Sequence, residues 1–143
     1  MDELDRQIAE LVQQDPRRSN VEMARTLGVS EGTVRKRLDR LLSEGAIRLG
    51  GVVATDRLGL DVRVLVLLKV ELAQIEAVGR ALAAMAEVVS VYVVTGEYDL
   101  VAEAVFGGNE ELVRFLTGQV GKLGGVLESV TVHVPLVLKH AID

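Results

Sequence analysis

The chain has no cysteine, no tryptophan, and only two tyrosines, two phenylalanines and two prolines in 143 residues. Without cysteine there are no disulfides and no thiolate metal sites. With so few aromatics, the core has to be built from Val, Leu, Ala and Ile, and an apolar content of 49% supplies enough of them. Long hydrophobic runs are missing as well. Arg63, Lys69 and Glu71 break the apolar stretches well short of a membrane span. The opening MDELDRQIAEL is acidic and amphipathic, with no basic leader and no apolar stretch of the kind a secretory signal needs. The expectation is a cytoplasmic protein of one domain or two small ones, without a metal or cofactor and without a membrane partner.

The net charge of −5 is unevenly spread. Residues 1–50 carry nine Lys/Arg and nine Asp/Glu, whereas residues 51–143 carry seven and twelve. Within 17–48 the count is eight basic to four acidic, and the cations bunch in RKRLDR, Arg35 to Arg40. Halves of different charge point to two modules with different partners.

The first module, residues 1–50, reads as three helices. Leu4, Ile8, Leu11 and Val12 form an amphipathic stripe that Asp15-Pro16 ends. Ser19 and Glu22 form a Ser-x-x-Glu capping box for a second helix, which stops at Gly28. Ser30 caps a third, and Gly45 ends it. Residues 51–60, within RLGGVVATDRLGL, have no helical period and read as a linker or extended arm.

Residues 61–143 change register. Val62, Val64, Val66, Leu68 and Val70 alternate as one face of a strand. Ile75, Val78, Leu82 and Met85 make a helical stripe. The apolar runs 88–95 and 100–106 flank the polar step VTGEYDL. Asn109 is placed to cap a helix carrying Leu112, Phe115, Leu116 and Val120. Val130, Val132 and Val134 then alternate with Ser129, Thr131 and His133. The order is β-α-β-β-α-β, so the fold class is α+β: a ferredoxin-like sheet domain behind a helical one. Its helices cover one sheet face. On the open face we expect Leu65 and Leu67, with Ser129, Thr131 and His133 as polar neighbours. Such a face is too apolar to leave wet, which favours packing on a second copy; the alternative is ordinary exposed leucines.

In the first module Ala24, Gly28 and Val34 have helix-turn-helix spacing. Val34, Leu38, Leu41 and Leu42 of the third helix point inward. Gly32, Thr33, Lys36, Arg40 and Ser43 lie opposite, with Arg35 and Arg37 on the flanks. Such a helix fits the major groove of double-stranded DNA, its N-terminal residues on base edges and its cations on phosphates. The backbone near Ser30 and the side chains of Arg17 and Arg18 are further phosphate contacts. A solvated charged face is the plainer alternative. A single module makes few contacts, and a dimer would read two half-sites about 34–36 Å apart.

The stretch DRQIAELVQQDPRRSNVEMARTLGVSEGTVRKRLDRLLSEGAI, the pair Leu58-Gly59, VTGEYDL and the closing VLESVTVHVPLVLK together resemble the Lrp/AsnC (feast/famine) transcription regulators over nearly the whole chain. The resemblance implies a winged-type helix-turn-helix domain joined to a ferredoxin-like RAM domain. It also implies homodimers that assemble to octamers, and a free amino acid as effector at a subunit interface. The family's Gly-x-Tyr/Phe-Asp turn lies at that effector site, and Gly96, Tyr98 and Asp99 match it. Glu97, Ser129 and Thr131 join the candidate effector residues. Asp99 would receive an ammonium group, and backbone amides around Gly96 a carboxylate. A hairpin turn accounts for Gly96 and Asp99 equally well, and packing for Tyr98. Two positions depart from the family pattern. The arm RLGGVVAT has glycines where an aromatic is common, and Leu42 stands where Glu is common.

Two rival functions stay open on sequence. One is a ligand-sensing or interaction protein whose helix-turn-helix no longer binds DNA, which the zero net charge of residues 1–50 permits. The other is an enzyme resembling the tetrapyrrole decarboxylases of similar architecture. That chemistry needs histidines and cations gathered around propionates, and the second half offers only His133, His140 and seven scattered Lys/Arg. A non-enzyme is expected.

Overall fold

Asp2 starts the first helix in the computed structural model, which describes residues 1–51 and 55–140. Its carboxylate accepts the Asp5 N–H while Asp5 accepts the Asp2 N–H, so a reciprocal capping box opens α1 (Glu3–Gln14). The helix stops ahead of Pro16, as the sequence predicts. Ser19 caps α2 (Asn20–Leu27) by accepting the Glu22 N–H at 3.1 Å. Only that half of the expected box forms; no bond from the Glu22 side chain back to Ser19 accompanies it. Gly28 closes α2 at φ 69°, a left-handed conformation that costs glycine no steric strain. Ser30 then caps α3 (Glu31–Ser43).

Ile8, Val12, Met23, Ala24, Val34, Leu41 and Ile47 form the core of this unit, with Leu38 and Leu42 packed against it. The inward stripe of α3 is thus the one read from the sequence. Ala46 and Ile47 fold back onto the carbonyl of Leu41, and no strand follows α3 within residues 44–51. The wing implied by the resemblance is therefore not present there. Residues 44–47 close the helix end and bury Ile47, which leaves the backbone in a turn.

The second unit begins after residue 51. Of the expected arm, residues 52–54 lie outside the described residues. Thr55–Leu58, read as having no helical period, forms one 3-10 turn. It is too short for a period to register. Four antiparallel strands follow: β1 (Val62–Val70), β2 (Val88–Val93), β3 (Leu100–Phe106) and β4 (Val126–His133), in the order β2-β3-β1-β4. Helices α4 (Ile75–Ala83) and α5 (Asn109–Gly118) complete the ferredoxin-like order.

Val64, Val66, Leu68 and Val70 meet Val78 and Leu82 of α4 and Phe115 of α5 in one core. Phe106 and Phe115 pack tilted at 5.1 Å between centroids, a favoured aromatic geometry. Both phenylalanines of the chain are therefore in its core. Two end assignments differ from the sequence reading. Gly108 in extended geometry caps α5, so Asn109 is its first helical residue and not its cap. Val120 falls in a separate 3-10 turn, Val120–Lys122, yet is still buried.

The β1/β4 register corrects the open face. Leu65 lies opposite Val132 and Leu67 opposite Val130, whereas Ser129, Thr131 and His133 lie opposite Leu68, Val66 and Val64. Directly opposed residues share a face. Ser129, Thr131 and His133 are therefore on the helix side, exposed because β4 is an edge strand. Alternation alone did not say which phase of β4 joins which phase of β1. The open face is more apolar than expected, with Leu65, Leu67, Val101, Val105, Val130 and Val132. Its charged members are Arg63, paired at 2.5 Å with the diagonal Glu103 opposite Leu65, and Lys69, paired with Glu128.

Candidate nucleic-acid interface and effector site

The nine residues read as DNA contacts differ in their surroundings. Ser30 uses its hydroxyl on the helix itself, accepting the Thr33 N–H at 3.1 Å and meeting the Thr33 hydroxyl at 2.8 Å. It orients the first turn of α3, and the Thr33 amide is already bonded. Gly32 follows within that turn. Lys36 is exposed one helical turn beyond Gly32, and no ion pair involves it among the described residues. Arg35 is exposed and paired to Glu31 at 3.0 Å along the helix. At the turn between α1 and α2, Arg17 is exposed and Arg18 half-buried.

Arg37 and Arg40 are held differently. Asp5 is 1% exposed, the one buried charged residue among those described. Its carboxylate meets Arg37 at 3.2 Å and Arg40 at 2.5 Å. Arg37 also pairs with Asp2. This four-residue cluster ties the start of α1 to the middle of α3. Burial alone would raise the Asp5 carboxyl. The Asp2 amide and the guanidinium groups of Arg37 and Arg40 outweigh it and hold the group below the usual carboxylate range. The hydrogen bond from Arg37, with that from the Asp5 amide, lowers Asp2 to about 2. Bonds to Asp2 and Asp5 push Arg37 upward.

Asp2 and Asp5 escaped the sequence reading. The Asp-x-x-Asp spacing ahead of an apolar stripe signals a cap. Their link to arginines 32 to 35 residues away has no local signal.

At VTGEYDL the backbone explains much of the motif. Gly96 sits at φ 126°, which side chains rarely adopt. Asp99 is half-buried, and its carboxylate accepts the Val70 N–H at 2.8 Å. That bond lies where β1 and β4 shift register between Lys69 and Val70. The Asp99 N–H donates to the Leu68 carbonyl at 2.9 Å, and the Asp99 carbonyl accepts from Val94 at 2.9 Å. Asp99 thus closes the β2–β3 turn and fastens it to β1. Tyr98 is half-buried, with the Lys69 ammonium 5.7 Å from its ring centroid, and Glu97 is exposed.

Lys69 shares the face of Leu65 and Leu67, and pairs there with Glu128 at 3.4 Å. Ser129 and Thr131 are on the other face. One chain therefore does not bring Tyr98 together with Ser129 and Thr131. A groove of about 550 Å³ between α4 and β2 is lined by Leu72, Ile75, Gly79, Ala83, Val91 and Val93 with Glu76 and Arg80. None of the six candidate effector residues lines it.

A helix-turn-helix unit with a cationic second helix, and a ferredoxin-like unit with an uncovered apolar sheet face, define a two-domain DNA-binding regulator class. Comparison with known proteins narrows it. Residues 1–42 match the AsnC-type helix-turn-helix domain, and residues 63–140 the Lrp/AsnC ligand binding domain. The HTH-type transcriptional regulator FL11 of Pyrococcus furiosus is 33% identical over 140 residues, 97% of this chain and 90% of that protein. The E. coli AsnC structure superposes with a TM-score of 0.84 at 23% identity, covering 99% of this chain and 98% of that one. A Neisseria meningitidis transcriptional regulator, solved as its L-Met complex, gives 0.88 at 21% identity, with 98% and 93% covered. The chain belongs to the Lrp/AsnC family of transcriptional regulators. No helix among the described residues is long and apolar enough to cross a membrane.

Proposed function

We propose that this chain is a sequence-preferring DNA-binding regulator that acts as a homo-oligomer and answers to an amino acid. The observation that carries the DNA reading is α3 itself. Its apolar stripe is buried, while Ser30, Gly32, Thr33 and Lys36 occupy its N-terminal half on the other side, where a recognition helix meets base edges. Lys36, Arg17 and Arg18 supply charge for phosphates. The uncovered sheet face favours pairing with a second copy, and pairing would double the DNA contacts. Further assembly toward an octamer rests on the family alone.

The effector reading centres on Gly96, Glu97, Tyr98 and Asp99, with Ser129 and Thr131. The L-Met bound to the Neisseria protein supports an amino acid as the class of ligand. One Asp99 carboxylate oxygen accepts the Val70 N–H of β1, which leaves the other for an ammonium group. Because Tyr98 and Ser129/Thr131 lie on different sheet faces, a complete site needs residues from more than one copy. No group of three His, Cys, Asp or Glu able to hold a metal occurs among the described residues, and His133 stands exposed on an edge strand. We propose a non-enzyme working in the cytoplasm, in keeping with membership of a family of transcriptional regulators.

Gel shifts with the DNA upstream of its own gene, across a salt series, test the reading. Lys36→Ala should weaken binding and reduce the slope of log K against log salt by about 1, as one phosphate contact is lost. Binding by the wild type that shows no sequence preference even at low salt refutes the proposal. A thermal-shift screen of the twenty amino acids tests the effector, since a ligand of the folded state raises Tm.

A further inference from the structure

The cluster of Asp2, Asp5, Arg37 and Arg40 has more donors than its carboxylates use. Arg37 reaches both aspartates through one terminal nitrogen, Nη1, and Arg40 reaches Asp5 through Nη2 alone. Each guanidinium carries five N–H donors in a rigid plane. One edge of each is therefore fixed against Asp5 while other N–H groups stay uncommitted among the described contacts. The side chains are 30% and 46% exposed, so those groups are not shut inside the unit. Residues 37 and 40 are three apart on α3 and share a helix face. A planar guanidinium matches a phosphate with two parallel bonds, and immobilising it beforehand lowers the entropy lost on binding.

We propose that Asp5 is a positioning residue for DNA: it fixes Arg37 and Arg40 side by side so that their free edges form one phosphate-binding fork on α3. Asp2 steadies Arg37 from the solvent side. This inference rests on the DNA-binding reading above and deepens it, since it returns Arg37 and Arg40 to the contact set in a prearranged form.

The sign of one substitution separates the explanations. Asp5→Asn removes a negative charge beside the fork. Simple electrostatics then predicts tighter DNA binding, because the polyanion meets a more positive surface. A purely structural role predicts unchanged affinity in whatever protein remains folded. Positioning predicts weaker binding.

The experiment uses the full-length protein and the DNA bound best by the wild type, with circular dichroism to establish folding at the assay temperature. Asp5→Asn should bind about tenfold more weakly or worse, the scale of one charge-assisted contact. Arg40→Lys keeps the charge, loses the fork, and should weaken binding similarly. The double variant should be little worse than either single one, because both disable the same device. Folded Asp5→Asn with unchanged or tighter binding overturns the proposal. If Asp5→Asn does not fold, the exposed Arg40→Lys decides alone, and wild-type affinity there overturns it. Wild-type protein that binds no DNA defeats the underlying reading instead, so the two failures are distinguishable.

Discussion

Replacing Asp99 by alanine should be felt first as lost stability of the sheet domain. The Asp99 carboxylate accepts the Val70 N–H at 2.8 Å, and Val70 is 4% exposed. Water has little access to that amide once its partner is gone. The bond has a charged acceptor, and Val70 lies two residues beyond Leu68↔Leu100, the last pair of the β1/β3 ladder, so no ladder bond from β3 replaces it. Loss of such a bond costs about 2 kcal/mol. For a unit the size of residues 52–143, each kcal/mol moves Tm by about 4–8 °C, so Asp99→Ala should melt about 8–16 °C lower. Asp99→Asn keeps an acceptor oxygen without the charge and should lose about half as much. Calorimetric melts at one protein concentration measure both, since assembly makes Tm depend on concentration. An Asp99→Ala melt within about 2 °C of the wild type refutes the assigned role. The same numbers select the variant for the effector test. Asp99→Asn preserves the turn and removes the charge that would face an ammonium group, so it should lose any amino-acid-induced rise in Tm. Asp99→Ala would confound that loss with damage to the fold.

Phe115→Ala empties the space against Phe106 and should cost about 3–5 kcal/mol, read from urea unfolding; a loss under about 1 kcal/mol would place the core elsewhere. Acid should weaken the helical unit through Asp2. Its carboxyl is lowered to about 2 in the folded chain and stands near 4 in the unfolded one, so its contribution is complete above about pH 4 and disappears as pH falls toward 2. Asp2→Asn keeps a good helix cap, and its stability should fall less steeply between pH 4 and 2. An equally steep fall in melts at pH 4, 3 and 2 would contradict the Arg37–Asp2 pairing.

Local and periodic features were readable from residues alone. Ile8 and Val12, Val34 and Leu41, and Val64, Val66, Leu68 and Val70 are buried at the positions their spacing demands, because a helix or strand exposes its period directly. Pro16, Gly28 and Ser30 act within a few residues of themselves, so their roles are local too. What escaped depends on partners far along the chain. The phase of β4 against β1 is set by pairing, and a two-fold alternation fits either phase. Asp5 carries no sign in its neighbours that two arginines of another helix will cover it. At VTGEYDL the turn was legible, and the bond from Asp99 to β1, 29 residues back along the chain, was not. Gly96 answers to backbone geometry, and Asp99 holds β1 as well as any ligand.

That bond to β1 bears on how a sensor built from this turn would operate. Asp99 is joined to β1 through Leu68 and Val70, whose side chains lie in the core, while the intervening Lys69 lies on the open face with Leu65 and Leu67. A ligand pulling on Asp99 therefore pulls on the strand that carries the uncovered apolar row. Any shift of β1 at its bulge changes how Lys69 stands against Glu128 and Tyr98, at the margin of that row. Packed cores resist gradual deformation, so a small displacement there favours one mode of subunit packing over another. The proposed effector thus has a short physical route to assembly: carboxylate, bulge, strand, open face. The helical unit need not be touched for its DNA contacts to change, because the number and spacing of α3 helices presented together follow from assembly. In this scheme Asp99→Asn loses the ligand-driven change in oligomer size while the ligand-free assembly stays as in the wild type. Light scattering with and without the amino acid measures both, and an unaltered ligand response in Asp99→Asn would exclude the route.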